Sequence, residues 1–201
     1  FPWCRTIGCF ARVTDVASKT GEELAALREA GYTGLTIGIE TGDDAALAFM
    51  NKGYAAQDII AQCARLDAAD IAYAFFYLAG ISGKGRGIEG ARLTAAVCNQ
   101  TRPSLIGANM LTIYKNSELY QEILAGNWEE ETEIEKYQEI KALVEGLEIP
   151  VEFAMLGASN PVMLQGRLLK QRAQIVATLD RVIEEIGEDK LRLYRTNLKH
   201  L

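Results

Sequence analysis

Apolar and polar residues alternate through 35–40. Leu35, Ile37 and Ile39 fall on one face, and Thr36, Gly38 and Glu40 on the other. That pattern predicts a buried strand with a carboxylate at its C-terminal tip. Asp43 or Asp44 then opens a short helix that stops at Met50-Asn51-Lys52-Gly53. Spacing of three and four places Ile59, Ile60, Cys63 and Leu66 on one side of a helix over 56–68. Thr20 with Glu23 forms a capping box for a helix over 21–30, and Gly31 stops it. Further strands are predicted at 6–11, 71–78, 105–114 and 151–155. Further helices are predicted at 88–100, at 117–125 behind Ser117, at 129–147, at 171–186 and at 188–198. Residues 79–87, AGISGKGRG, and 157–166, GASNPVMLQG, read as loops. The Glu/Lys pattern of 129–147 predicts a solvated charged face.

Strands alternating with helices imply βαβ units, hence an α/β fold with a parallel sheet and right-handed crossovers. Four or five strands fit an open sheet or an arc of a barrel. A chain that begins inside a strand predicts the second: a partial (β/α) barrel over 1–128, cut from a longer chain, with a helical C-terminal extension over 129–201 packed on it.

Composition narrows the function. The 201 residues are 49% hydrophobic and 24% charged, ordinary values for a globular domain. The 21 basic and 27 acidic side chains leave a net charge of −6 with no basic cluster, which argues against a nucleic-acid face. No apolar run reaches the ~18 residues of a membrane helix, and the start lacks a signal-peptide pattern. A cytoplasmic protein is expected. Cys4, Cys9, Cys63 and Cys98 form no CxxC pair, and Cys63 and Cys98 read as small core residues. No metal ligands are assigned. With His200 the single histidine, Ser-His-Asp and multi-histidine sites are excluded, leaving Glu, Asp, Lys or Tyr for proton transfer.

Three strand ends carry candidate chemistry. Glu40 with Thr41 suits the vicinal hydroxyls of a ribose. The glycines of 79–85 allow close backbone approach to a ligand, and Lys84 and Arg86 suit an anion. Asn109 is a polar residue in an apolar run and needs a partner.

In order along the chain, FARV at 10–13, ELAALREAGYTGLTIGIETGDDAALAFMNKG at 23–53, YLAGISGKG at 77–85 and NMLTIYKNSELYQEILAGNW at 109–128 resemble segments of the radical S-adenosylmethionine superfamily. The likeness is to its Elp3/MiaB/NifB-like group, which includes coproporphyrinogen oxidase-like enzymes. GASNPVMLQGRL at 157–168 resembles a tail segment of some members. In that superfamily three cysteines, usually CxxxCxxC, hold a [4Fe–4S] cluster. S-adenosylmethionine on the fourth iron is cleaved to a radical that abstracts hydrogen from substrate. The resemblance implies that Glu40 and Thr41 lie near the ribose or amino-acid part of the cofactor. It puts Arg12 on the carboxylate, Gly80 and Ile81 by the adenine, and Asn109 or Leu111 in the lumen.

CxxxCxxC is absent. Ser82 and Lys84 replace the usual proline and glutamate, and Asn116-Ser117 the usual Gly-Thr. The expectation is therefore the C-terminal portion of a longer radical S-adenosylmethionine enzyme. It supplies part of the cofactor pocket but not the cluster ligands, and is inactive alone. The substrate is unspecified, and the missing N-terminal half of the barrel is an implied partner. An alternative is a cluster-less half-barrel acting as a binding or assembly module, self-associating through an exposed strand edge. A third reading is an unrelated α/β enzyme using Glu40 and Lys84 on a phosphorylated substrate.

Overall fold

The computed structural model describes Trp3 and residues 6–198; Cys4 and His200 lie outside the described residues. The elements run β1 (Ile7–Arg12), α1 (Val13–Ala17), α2 (Gly21–Glu29), β2 (Tyr32–Glu40), α3 (Asp44–Phe49), α4 (Ala56–Ala68), β3 (Ala72–Ala79), α5 (Gly87–Cys98), β4 (Leu105–Met110), α6 (Glu118–Leu124), α7 (Glu133–Gly146), β5 (Glu152–Met155), β6 (Leu164–Arg167) and α8 (Arg172–Arg181). A π-helical turn (Val182–Ile186) then leads into α9 (Glu188–Thr196).

The six strands form one sheet in sequential order, β1 to β6. β1 to β5 are parallel, and β6 returns antiparallel on β5. A doubly wound sheet reverses its strand order at a switch point; this sheet never does, which is the progression of a barrel arc. It stays open, with β1 and β6 as its edges. The region after residue 129 is therefore not helical alone, because it adds β5 and β6 to the same sheet.

Alternation decides which face is buried. Ile37, Ile39, Tyr73, Phe75, Tyr77, Ile106, Ala108 and Phe153 form the core against the helices. Thr36, Gly38, Phe76, Leu78 and Asn109 face the other side and are half-buried. Thr20 and Glu23 cap α2 reciprocally, and Asp43 caps α3 by accepting from the amides of Ala45 and Ala46. Two short elements escape the sequence pattern. α1 spans five residues, too few to show a helical period, and β6 has polar residues at two of its four positions. β4 ends at Met110 rather than 114: the Met110 amide donates to the Asn160 side chain (3.2 Å), while the Leu111 amide still donates to the Ala79 carbonyl of β3 (2.9 Å).

The expected solvated face of 129–147 is a correction. Glu131, Glu133, Lys136 and Glu139 are all at most 1% exposed. They are tolerated because each finds a partner. Lys136 pairs with Glu130 (2.7 Å) and Glu133 (3.2 Å). Glu133 also pairs with Arg192 and Arg195 of α9, both at 3.1 Å. Lys136 and Arg192 hold the Glu130 carboxyl below its usual value although burial pushes the other way. Glu139 accepts from the Tyr77 hydroxyl and from the Gly80 amide (2.7 Å). Glu131 accepts from the Gly87 amide at the start of α5 and meets Glu139. A methyl group on Gly87 would fall 2.1 Å from Glu131 Oε1, so glycine is required for this approach. The helices are also too short and polar to cross a membrane: among the described residues no helix is long and apolar enough.

Burial pushes the Glu139 carboxyl well above its ordinary value, and Glu131 beside it acts in the same direction. Glu131 is raised too, again chiefly by burial. Two carboxyls in contact hold a proton between them that the unfolded chain releases. Stability from that proton is complete below the ordinary carboxylate range and is lost as pH rises through the raised folded value. The unfolding free energy should thus fall with rising pH, by at most about 1.4 kcal/mol per pH unit for one proton. Glu131→Gln, which donates to Glu139 without a titrating proton, should flatten that slope in urea unfolding followed from about pH 5 to about pH 9. An unchanged slope would show that the pair does not share a proton.

Candidate functional site

Glu40 ends β2 in the left-handed region, with φ 60°, at a register shift between Gly38 and Glu40 against β3. A non-glycine residue there is strained by roughly 1–2 kcal/mol, and a bulge at a strand end re-aims the side chain. The carboxylate folds back over Gly38, where a methyl group would lie 2.9 Å from Glu40 Oε1. Tyr54 holds the bulge from below, its hydroxyl placed 3.1 Å from the carbonyls of both Gly38 and Ile39. Burial raises the Tyr54 phenol, and the Glu40 carboxylate adds to this, so the hydroxyl keeps its proton and donates. Lys52, delivered by the turn after α3, pairs with Glu40 at 3.5 Å. The turn needs two left-handed residues, Asn51 (φ 51°) and Gly53 (φ 77°).

Glu40 opens onto a cleft of about 380 Å³ at the carboxyl ends of β1 to β4. Phe10, Phe76 and Leu78 give it an apolar floor; Arg12, Asp15, Thr36 and Asn109 give it polar atoms. Phe76 lies flat on Gly107, where a methyl would meet its ring at 2.7 Å. Its ring centroid is 6.2 Å from that of Phe10. Arg12 pairs with Asp15 at 3.3 Å, and both are largely exposed. The Arg12 backbone amide is the main cause that holds the Asp15 carboxyl below its usual range. An exposed pair of this kind is weak and is readily exchanged for a ligand.

The sequence-derived residues divide. Arg12, Glu40 and Asn109 share this cleft. Leu111 lines an adjoining one of about 310 Å³ that shares Leu78 and Asn109 with it. Thr41 does not line either: it is fully buried, with its hydroxyl 3.2 Å from that of Thr94 and accepting from the Asp43 amide. Gly80 and Ile81 turn toward the helices, Gly80 onto Glu139 and Ile81 buried at 1%. Lys84 pairs with Glu129, and Arg86 with Asp43 at 3.0 Å. Those two cations line a separate hollow with Phe49 and Trp128, away from Glu40. Glu40 and Lys84 therefore line different hollows, which separates them for joint action on one phosphate.

Sequence reasoning missed Lys52, Tyr54, Asp15 and Asn160. Asn160 is fully buried and donates to the Ala108 carbonyl (2.9 Å) and toward Asn109 Oδ1 (3.5 Å). Its signal was the unmet need of Asn109 for a partner. Cys63 and Cys98 are buried and Cys9 is exposed. Burial pushes the Cys63 thiol up to about 12. Among the described residues no three metal-ligating groups converge.

No protein-family model matches the chain, and no curated protein does. Among solved structures its fold is similar to that of the archaeal Methanocaldococcus infernus Elp3 with an N-terminal deletion (1–46). The TM-score is 0.65 and the identity 14%, over 89% of this chain and 42% of that one. The chain therefore spans less than half of the structure it matches, and the likeness is one of fold.

Tyr54→Phe removes the donor beneath the bulge while conserving shape. It should lower the unfolding free energy by about 1 kcal/mol, read as a shift in the urea midpoint. An unchanged midpoint would show that the bulge holds itself.

Proposed function

We propose that this chain forms part of a radical S-adenosylmethionine enzyme and that the Glu40 cleft holds part of the cofactor. The observation that carries the reading is the strained Glu40. A left-handed glutamate at a bulge, aimed into a cleft at the carboxyl end of a parallel sheet, marks a position kept for a ligand at some cost in stability. The ordered motifs that resemble that superfamily support it, as does the fold similarity to an Elp3.

The cleft suits S-adenosylmethionine. Glu40 would accept from the ribose hydroxyls, with Lys52 beside the carboxylate at 3.5 Å. Arg12 would leave Asp15 and pair with the amino-acid carboxylate. Phe10 and Phe76 would exclude water beside them, and Asn109 and Leu111 would line the lumen next to the cofactor. When bound to its cluster, S-adenosylmethionine supplies hydrogen-atom abstraction. The described residues do not fit the [4Fe–4S] cluster itself. Cys63 and Cys98 are enclosed in the core, and among the described residues Cys9 belongs to no group of three metal-ligating side chains. Cluster ligands would come from elsewhere in a longer protein or from a partner, in the cytoplasm.

The second reading is an assembly module. It is favoured by the edge strand β1, where Phe10 is 78% exposed.

Isothermal titration with S-adenosylmethionine tests the first reading. Glu40→Ala should weaken binding about tenfold or more, the worth of one or two charge-assisted hydrogen bonds. Gly38→Ala should weaken it as well, by displacing the flexible carboxylate at 2.9 Å while leaving stability nearly unchanged. Equal affinity for the parent and both variants would remove Glu40 from the cofactor site.

A further inference from the structure

The two adjoining clefts form one trough, and Asn109 stands where they meet. Their chemistry differs. The Glu40 arm carries Arg12, Asp15 and Glu40. The other arm is walled by Leu78, Leu111, Tyr114 and Ala158 and has no charged side chain in its lining. Its two walls are fixed to each other by Arg195 of α9. That guanidinium donates to the carbonyls of Leu111 and Ser159 and is anchored behind them by Glu133.

The polarity of Asn109 follows from its neighbours. Asn160 Oδ1 accepts from the Met110 amide and its Nδ2 donates to the Ala108 carbonyl, so backbone groups on both sides fix which end is which. Asn160 Nδ2 therefore points at the oxygen of Asn109. That oxygen is seated over Gly157, where a methyl would lie 2.0 Å from it. Asn109 lines both clefts, and its Nδ2 group has no hydrogen-bond partner among the described residues.

We infer that the uncharged arm is the substrate seat and that it takes a neutral, largely apolar group bearing a hydrogen-bond acceptor, such as a carbonyl, placed on Asn109 Nδ2. This rests on the reading of the Glu40 arm as the cofactor side. A charged group would find no counter-charge in that lining, which disfavours it relative to a neutral one. An acceptor-free hydrocarbon would leave the Asn109 donor dry and unpaired. Asn160 is a positioning residue: it acts on the substrate only through the orientation it imposes on Asn109.

The test is an NMR titration of the chain with acetophenone, benzoate and benzylammonium as probes. Acetophenone should shift the Asn109 side-chain amide resonance and the backbone amides of 109–114 and 157–159. The two ions should bind at least tenfold more weakly. Asn109→Asp replaces the donor by an acceptor of the same shape, and should reverse the order, weakening acetophenone and favouring benzylammonium. Equal binding of all three probes to the parent, or shifts confined to other surfaces, would overturn the inference. So would an unchanged order in Asn109→Asp. Should that variant fail to fold, the Asn109 side-chain resonance of the parent still decides. The titration contains no S-adenosylmethionine, so its outcome is independent of whether Glu40 binds the cofactor.

Discussion

The contact on which most of this structure depends is the meeting of two buried carboxyl groups, Glu131 and Glu139, with the turn between β3 and α5. A parallel strand that ends inside the protein leaves backbone amides that need acceptors. Here Glu139 takes Gly80 and Glu131 takes Gly87, and α7 is thereby fixed against α5. Buried hydrogen bonds of this kind add little net stability, but leaving one partner unpaired costs about 1–3 kcal/mol. Their effect is to specify position. From α7, Glu133 reaches Arg195, and Arg195 reaches the carbonyls of Leu111 and Ser159. One polar chain thus runs from the β3–α5 turn to the walls of the trough.

On the opposite face the organising device is the absence of side chains. Gly38 lies under Glu40, Gly107 under Phe76 and Gly157 under Asn109. Each lets a larger neighbour approach closely, so contact with the backbone helps to set the directions of Glu40, Phe76 and Asn109. Strain at Glu40 completes the arrangement, with Tyr54 and Lys52 keeping the bulge and its carboxylate in place. Rigid support of this sort is what a binding group needs to act at a fixed distance.

Much of the fold was legible because β2 and α4 obey periods of two and 3.6 over enough residues to show them, and because Thr20, Asp43 and Ser117 cap their helices through local bonds. Elements of four or five residues, β6 and α1, carry too few positions for any period. The charged face of α7 misled for a different reason. Sequence spacing shows that Glu and Lys alternate along a helix, but not that Arg192 and Arg195, over fifty residues later, return to neutralise them. In the site, Glu40 was legible as a polar residue at a strand tip. The loop 79–87 looked available for a ligand, because nothing local reveals that Glu129, Glu131 and Glu139 fill it. Asn160 belonged to the same class of long-range partner.

A sequentially ordered arc of parallel strands leaves its carboxyl ends along one rim, which is where such folds gather ligand groups. The rim here holds a strained acid, an exposed arginine and an oriented amide within a continuous trough. The most direct measurement is a crystal structure of the chain grown with S-adenosylmethionine at saturating concentration. The account predicts density in the Glu40 cleft with the two ribose hydroxyls at hydrogen-bond distance from the Glu40 carboxylate. Density for the ligand on the Lys84 and Arg86 side of the sheet, or an empty cleft at saturation, would contradict it.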